Sequence, residues 1–120
     1  MTEVVIVDYG MGNLRSVEKK LSNIGVNAIV SRNNEVINKA DKLVIPGVGH
    51  FANGVRNLKS YGLWDILNDK VLIKHTPVLG ICLGMHLMAR HGEEGSNTEG
   101  LGWFDADVVK FRIKDKLKFK

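Results

Sequence analysis

Residues 77–87 read PVLGICLGMHL and hold the only cysteine of the 120-residue chain, Cys82. An apolar strand pattern precedes this cysteine and a helix pattern follows it, with Gly80 and Gly84 on either side. The sequence G-x-C-x-G between a strand and a helix has the form of a nucleophile elbow with cysteine in place of serine. Such a turn strains the nucleophile's backbone and excludes side chains at both glycines, and the following helix N-terminus favours the reactive thiolate. The alternative is a buried cysteine that acts as a small hydrophobic residue.

The rest of the chain alternates between strand and helix patterns. Continuous apolar runs predict strands buried on both faces, and apolar residues at helical spacing predict helices between them. The predicted strands are 4–7, 27–31, 43–45, 78–81 and 106–113. The predicted helices are 14–24, 54–74 with a break near Tyr61-Gly62, and 83–90, followed by a polar loop at 91–100. This alternation predicts an α/β fold with a doubly wound, mostly parallel sheet.

Three glycine-rich loops follow strands of the predicted sheet. They are 9–13 (YGMGN), 46–50 (PGVGH) and 80–84 (GICLG). Ligands of such sheets bind at the carboxyl ends of the strands, so we expect the three loops to meet at one site. A thiolate that attacks a carbonyl group needs hydrogen-bond donors for the developing oxyanion. The backbone N–H groups of Val48 and Leu83 are the candidates.

The net charge of +4 comes from the end of the chain. Residues 110–120 (KFRIKDKLKFK) hold six Lys or Arg and one Asp, a net +5 that leaves −1 for residues 1–109. Their alternation with apolar residues predicts an amphipathic strand with a solvated basic face, or else a strand that faces phosphate or a partner. A nucleic-acid-binding domain would need a larger basic surface, and no zinc-finger, homeodomain or RNA-recognition signature is present. We therefore expect no nucleic-acid partner.

Composition and motif spacing exclude several other classes. A hydrophobic content of 44% suffices for the core of one domain. No apolar run is long enough to span a bilayer and no secretory signal is visible, so we expect no membrane partner. A single cysteine makes no internal disulfide, which favours a reducing, cytoplasmic setting. The glycine loops match neither the dinucleotide fingerprint nor the P-loop, and no residues have metal-ligand spacing, so no cofactor or metal is expected.

Three motifs together resemble the class I glutamine amidotransferases. They are residues 8–14 (DYGMGNL), 45–51 (IPGVGHF) and 80–85 (GICLGM). The third motif occurs in many amidotransferases, whereas the first two more narrowly resemble the glutaminase subunits of imidazole glycerol phosphate synthases. The resemblance covers nearly the whole chain. It implies a flavodoxin-like strand order, incomplete at the C-terminus, with residues 1–120 as the N-terminal part of a single amidotransferase domain.

The resemblance implies a role for each matching residue. Cys82 would attack the side-chain amide of glutamine and form a thioester with release of ammonia. Val48 and Leu83 would supply the oxyanion-hole N–H groups. Gly47 and Gly49 would let their loop move into place against the substrate. No cofactor is implied.

The resemblance also implies a protein partner. Asn13, in the first loop, would face a (β/α)8-barrel synthase subunit. Ammonia would pass into that barrel and be used to form imidazole glycerol phosphate in histidine biosynthesis. Because glutaminase turnover in this family depends on the partner's ligand, we expect the isolated subunit to be nearly silent.

One position within the elbow motif departs from the family pattern. The family usually has glutamine directly after Cys-Leu-Gly-Met, where this chain has His86. That glutamine helps to hold the substrate, and histidine can also donate and accept hydrogen bonds, so His86 is a substrate-binding candidate. A structural helix histidine is the alternative. A third interpretation is a paralogous branch that delivers ammonia for amidino sugars of bacterial surface polysaccharides.

The catalytic base is the second departure. The family's catalytic histidine and its glutamate partner lie in a late His-x-Glu segment that nothing in this chain matches. The chain's histidines are His50, His75, His86 and His91, and none is a convincing general base. We therefore expect the 120 residues alone to be inactive, with a non-catalytic interaction module as the alternative. A different cysteine hydrolase on the same fold is disfavoured, because Leu83 stands where such enzymes often have a histidine.

Overall fold

The computed structural model describes residues 2–93 and 97–109. The strands of the main sheet are β1 (Val4–Val7), β2 (Ala28–Ser31), β3 (Lys42–Ile45) and β4 (Val78–Gly80), all parallel and in the order β2-β1-β3-β4. The helices are α1 (Leu14–Asn23), α2 (Asn34–Lys39), α3 (Phe51–Ser60), α4 (Trp64–Asn68), which a π-helical turn (Asp69–Ile73) continues, and α5 (Leu83–His86). A second sheet consists of β5 (Ala89–Gly92), β6 (Thr98–Glu99) and β7 (Phe104–Val108), in the order β6-β5-β7. Within these residues no helix is both long and apolar enough to cross a bilayer.

The strand β1 lies at the centre of the main sheet and has no solvent-facing side. Its four residues are each at most 8% exposed. Val5 and Val7 pack into the larger core, to which α2, α3 and α4 contribute, whereas Val4 and Ile6 pack into a smaller cluster with residues of α1. A strand covered by helices on both faces must be apolar at every position, which explains the continuous run VVIV.

The strand order confirms the predicted doubly wound sheet. The chain runs from β1 outwards to β2 through α1, then crosses back past β1 to β3 and on to β4. This reversal puts α1 on one face of the sheet and α2, α3 and α4 on the other. The loops after β1, β3 and β4 therefore leave one edge of the sheet, next to the point at which the strand order reverses, which is where open α/β sheets bind ligands.

The helix predicted for 83–90 is wrong, because α5 ends after one turn and the chain enters β5. The N–H of Leu101 donates to the Leu87 carbonyl, and the N–H of Trp103 donates to the Met88 carbonyl, both at 2.8 Å. These long-range hydrogen bonds draw the chain out of the helix and into the second sheet. The apolar pattern of residues 83–90 alone does not indicate these hydrogen bonds.

Two further predictions around the second sheet need correction. The predicted polar loop at 91–100 contains the end of β5 and all of β6. The strand predicted for 106–113 begins earlier, at Phe104, and pairs in parallel with β5 instead of extending the main sheet. The later part of that predicted strand, and the basic segment 110–120, lie outside the described residues.

The helix α2 has no counterpart among the predicted elements. Its start is fixed by Asn33, whose side-chain oxygen accepts hydrogen bonds from the N–H groups of Glu35 (2.8 Å) and Val36 (3.3 Å). Only Ile37 is buried within its six residues. A helix this short, with one buried position, gives no detectable periodicity, and the N-cap asparagine was the available signal.

The predicted break in the helical segment 54–74 is confirmed. The helix α3 ends at Ser60, and Gly62 then adopts φ +69°, the left-handed conformation that commonly ends helices. The segment starts earlier than predicted, at Phe51, whose side chain is fully buried.

A buried lysine in the π-helical turn forms hydrogen bonds with the end of α2. Lys70 is 5% exposed, and its Nζ donates to the backbone carbonyls of Asn38 and Ala40, at 2.8 Å each. A helix C-terminus leaves such carbonyls without intrahelical donors. Burial lowers the pKa of Lys70, and the two hydrogen bonds offset part of the cost of desolvating its charge.

We predict that Lys70→Met lowers the free energy of unfolding by about 1–3 kcal/mol, because it leaves two carbonyls without donors. Lys74→Met is the matched control, since the Lys74 side chain is 45% exposed and its Nζ bonds only side chains, those of Asn38 and Asp69. We expect the control to cost about 0.5 kcal/mol or less. Urea unfolding of the three proteins measures both losses, and equal losses would show that Lys70 contributes no more than a surface lysine.

Candidate active site

Cys82 lies on a strained turn between β4 and α5. Its φ is +53° and its ψ is −120°, a conformation that residues other than glycine rarely adopt. Strain of this kind costs on the order of 1–3 kcal/mol and persists only where the surrounding contacts enforce it. The cysteine is exposed to solvent, so the alternative of a buried hydrophobic residue is wrong. The turn has the backbone geometry predicted for a nucleophile elbow.

The glycines on either side of the cysteine are enforced by close packing. A Cβ built on Gly84 would overlap the carbonyl of Ile45, the last residue of β3. A Cβ built on Gly80 would lie 2.7 Å from the Cα of Met85, in α5. Neither position has room for a side chain. Each end of the elbow therefore packs against its neighbour only because glycine has no Cβ atom.

The 46–50 loop lies directly against this elbow. The N–H of Leu83 donates to the Gly47 carbonyl at 3.2 Å. One residue before the cysteine, the N–H of Ile81 donates to the carbonyl of Ile45 at 3.0 Å. Two of the three predicted glycine loops thus meet, because β3 and β4 are neighbours in the sheet and end at the same edge.

The hydrogen bond from Leu83 to Gly47 occupies one of the two predicted oxyanion donors and orients the other away from the elbow. The Gly47 carbonyl and the Val48 N–H belong to a single trans peptide unit, in which they point in opposite directions. Because this carbonyl points at Leu83, the Val48 N–H points away from the elbow. The two predicted oxyanion donors are therefore close in space but are not free to bind one oxyanion together.

The first loop, residues 9–13, packs on the 46–50 loop. A Cβ built on Gly12 would lie 3.0 Å from the Cα of Gly47. One built on Gly49 would lie 2.6 Å from the terminal methyl carbon of Met11. Gly12 and Gly49 also adopt φ values of +101° and +131°, which glycine tolerates best. The 46–50 loop thus contacts both the first loop and the elbow, so the three predicted loops meet as expected. Met11 was not singled out by the sequence.

An ion pair holds the first loop on its other side. The Asp8 carboxylate accepts a hydrogen bond from the Gly10 N–H at 3.1 Å and pairs with Arg32 at 3.0 Å. The Arg32 guanidinium in turn lies 4.4 Å from the centre of the Tyr61 ring. A cation above an aromatic face is attracted to it. This arrangement ties the end of β1 to the end of β2 and to the residue after α3.

Asn13 begins the helix α1. Its side-chain oxygen accepts a hydrogen bond from the Ser16 N–H at 3.3 Å, which is the geometry of a helix N-cap. Capping accounts for an asparagine at this position without a partner. Its partner-facing role stays a prediction.

His86 is the last residue of the single-turn helix α5. Its backbone N–H donates to the Cys82 carbonyl at 3.1 Å, and the residue is partly exposed. Its substrate-binding role stays a prediction. A one-turn helix has a smaller dipole than the predicted longer helix.

Of the remaining histidines, only His50 belongs to a loop of the site, the 46–50 loop. His50 precedes α3, His75 is exposed with φ +55°, and His91 lies on β5. Across residues 2–93 and 97–109, no three His, Cys, Asp or Glu side chains are grouped so that they could hold a metal ion.

Tyr9 lies beside the 46–50 loop and was also not singled out by the sequence. Its side chain is fully buried, and a methyl group at position 47 would overlap its hydroxyl. Burial raises the pKa of Tyr9 far above its ordinary value, so the hydroxyl keeps its proton. A tyrosine directly between a buried strand and a glycine turn was the signal that could have drawn attention to it.

Comparison with known proteins places the chain among amidotransferases. The family profile described as glutamine amidotransferase class-I matches residues 5–118. Relatives named imidazole glycerol phosphate synthase subunit HisH 2 from Methanococcus maripaludis and Pseudomonas aeruginosa are 50% and 44% identical over 115 residues. In each case the match covers 96% of this chain and 56% of the relative. Subunit HisH 1 from Campylobacter jejuni is 44% identical over 96% of this chain and 57% of its own length. The chain therefore spans about half the length of these curated relatives.

A solved structure shares the fold. The structure titled crystal structure of glutamine amidotransferase superposes with a TM-score of 0.73 at 24% sequence identity. The superposition covers 88% of this chain and 55% of that one. The sheet order and its covering helices therefore agree with a known amidotransferase fold.

We predict that Gly84→Ala lowers the free energy of unfolding by roughly 3 kcal/mol or more, because its Cβ would overlap a backbone carbonyl that cannot move without breaking β3. Gly62→Ala is the control: it is strained by its positive φ but meets nothing within 4 Å, and we expect a loss of about 1–2 kcal/mol. Urea unfolding compares the two variants. A smaller loss for Gly84→Ala than for Gly62→Ala would contradict the packing described for the elbow.

Proposed function

Because the chain belongs to the class I glutamine amidotransferases, we propose that it is part of a glutaminase subunit of an imidazole glycerol phosphate synthase. The observation that carries the proposal is the strained, exposed Cys82 with the 46–50 loop bonded to its elbow. A protein that uses this surface only for binding has no need for strain at a cysteine. The names of the curated relatives support the same assignment.

The proposed reaction is hydrolysis of glutamine to glutamate and ammonia through a thioester. The Cys82 sulfur attacks the side-chain amide carbon, and the carbonyl oxygen takes the negative charge of the tetrahedral intermediate. The C–N bond then breaks, the nitrogen leaves as ammonia after receiving a proton, and water hydrolyses the thioester. No cofactor is needed for this chemistry.

The oxyanion donors are the N–H groups of Val48 and Leu83, and they require a change in the 46–50 loop. When the Gly47–Val48 peptide turns over, the carbonyl leaves Leu83 and the Val48 N–H turns toward the elbow. Gly47 and Gly49, which flank Val48, lower the steric cost of that rotation. The arrangement described above is therefore the resting state, in which the hydrogen bond from Leu83 to Gly47 keeps the hole closed.

The remaining roles follow the family resemblance. His86, one turn after the nucleophile, contributes to glutamine binding in place of the family's glutamine. Residues 1–120 are the N-terminal part of a single amidotransferase domain. The general base comes from the portion of the protein that corresponds to the other half of the relatives, through a His-x-Glu segment.

The proposed partner is a (β/α)8-barrel synthase subunit in the cytoplasm. It docks on the first loop, near Asn13, and accepts the ammonia. The packing of Gly12 on Gly47 supports this assignment, because a contact with the first loop would reach the peptide that closes the oxyanion hole.

Labelling of Cys82 by a chloroketone analogue of glutamine tests the glutaminase assignment. We expect one adduct per chain by intact mass, none in Cys82→Ser, and slower labelling in the presence of L-glutamine but not D-glutamine. Iodoacetamide reacts with the same single thiol without recognising glutamine, so the ratio of the two rates separates substrate recognition from thiol reactivity. The assignment would be contradicted if L-glutamine slowed labelling by both reagents equally, or if neither L-glutamine nor D-glutamine slowed labelling by the chloroketone.

A further inference from the structure

The face of the main sheet on which α1 packs is covered only in part. Ile6, Val44 and Leu79 are paired across the neighbouring strands β1, β3 and β4, so their side chains point to this same face. Their exposed fractions are 0%, 5% and 54%. Val78, one residue before Leu79, points to the opposite face and packs against the larger core. Within the described residues, the cover on the α1 face therefore ends before β4.

A groove of about 800 Å³ lies in the uncovered part of this face. Its lining includes Val44 and Leu79 from the sheet, and Leu21 and Val26 from α1 and the turn after it. The first residue of each of the four strands also lines the groove, whereas Cys82 follows the end of β4. The groove is therefore separate from the candidate active site, and its sheet surface is apolar.

The width of the uncovered part matches one helix. Neighbouring strands lie about 4.8 Å apart and a helix with its side chains is about 10–12 Å across, so one helix covers about two strands. The side chains of α1 pack with residues of β1 and β2, which leaves β3 and β4 for a second helix. Parallel sheets of this class are covered on both faces, because their strands are apolar on both.

The share of the relatives that this chain matches indicates where the second helix comes from. The chain covers 56% of the Methanococcus maripaludis relative and 55% of the solved amidotransferase on which it superposes. The rest of each of those proteins has no counterpart in these 120 residues. Since α2, α3 and α4 pack on the other face, the uncovered groove is the surface that the rest of such a domain would find open.

We propose that this groove binds an amphipathic helix from the part of the amidotransferase domain that corresponds to the other half of the relatives. Apolar side chains of that helix contact Val44 and Leu79 beside α1, and its polar face meets solvent. Glu3 and Lys42 line the same groove, so polar side chains of the helix have charged neighbours there. The inference rests on the proposal that residues 1–120 are part of a larger domain, and it deepens that proposal by naming the surface through which the two parts assemble.

Cysteine labelling of a chimera tests this contact. The chimera joins residues 1–120 to the part of the Methanococcus maripaludis relative that follows its match to this chain. With Cys82→Ser in both proteins, we expect iodoacetamide to label Leu79→Cys at least roughly 10-fold more slowly in the chimera than in the 120-residue chain, because a covered thiol reacts only when the contact opens. Leu72→Cys is the matched control: Leu72 is 52% exposed in the π-helical turn and should label equally fast in both.

Lys42 distinguishes a helix on the face from a strand added to the edge of β4. This exposed residue lies on β3, inside the sheet, and pairs with Val4, which points to the α1 face. A helix in the groove slows labelling of Lys42→Cys as well. Protection at position 79 without protection at position 42 would indicate an added strand and would overturn the proposal.

Two other results would also overturn the proposal. One is labelling of Leu79→Cys at the same rate in the 120-residue chain and in a chimera with a cooperative urea transition. The other is slow labelling of Leu79→Cys in the 120-residue chain that becomes faster on dilution, which would assign the groove to a second copy. If the chimera lacks a cooperative transition, the intact Methanococcus maripaludis relative carries the same substitutions at the aligned positions, and peptide mapping reads the labelling of each site. Labelling of unmodified Cys82 by the glutamine analogue is independent of this test, so failure of the glutaminase assignment and failure of the groove proposal are distinguishable.

Discussion

The approach of Gly84 to the Ile45 carbonyl is the contact on which the arrangement of the site depends. It presses the start of α5 against the end of β3, so the elbow and the 46–50 loop leave neighbouring strands with almost no space between them. The bond from Leu83 to Gly47 forms only at this separation. The strain at Cys82 has the same origin, because a chain held this tightly at both glycines has no relaxed path through the cysteine between them.

Much of the main sheet could be predicted because its signals are local. The run VVIV must be buried on both faces, and the glycines and prolines that end each element act on their own neighbours. The second sheet could not be predicted in this way. The chain after His86 looks helical by its apolar spacing, and it becomes a strand because hydrogen bonds from Leu101 and Trp103 reach it from a later segment.

The same difference between local and long-range signals applies to the candidate site. Cys82 and its glycines could be predicted, since the elbow motif is contained in five consecutive residues, although the carbonyl that excludes a Cβ at Gly84 belongs to Ile45. The direction of the Gly47–Val48 peptide could not, because it depends on a hydrogen bond to a residue far along the chain. The burial of Tyr9 against Gly47 escaped for the same reason, as it results from packing between loops that follow different strands.

The orientation of the Gly47–Val48 peptide would also determine how much glutamine the proposed enzyme hydrolyses without a partner to use the ammonia. One peptide unit carries both the carbonyl that closes the hole and the N–H that completes it, so the two arrangements exclude each other. In the proposed enzyme, hydrolysis of glutamine without the partner would then be proportional to the fraction of molecules in the open arrangement. Each tenfold change in that fraction would correspond to about 1.4 kcal/mol, so a few weak contacts with the proposed docking subunit would be enough to shift the peptide from one arrangement to the other.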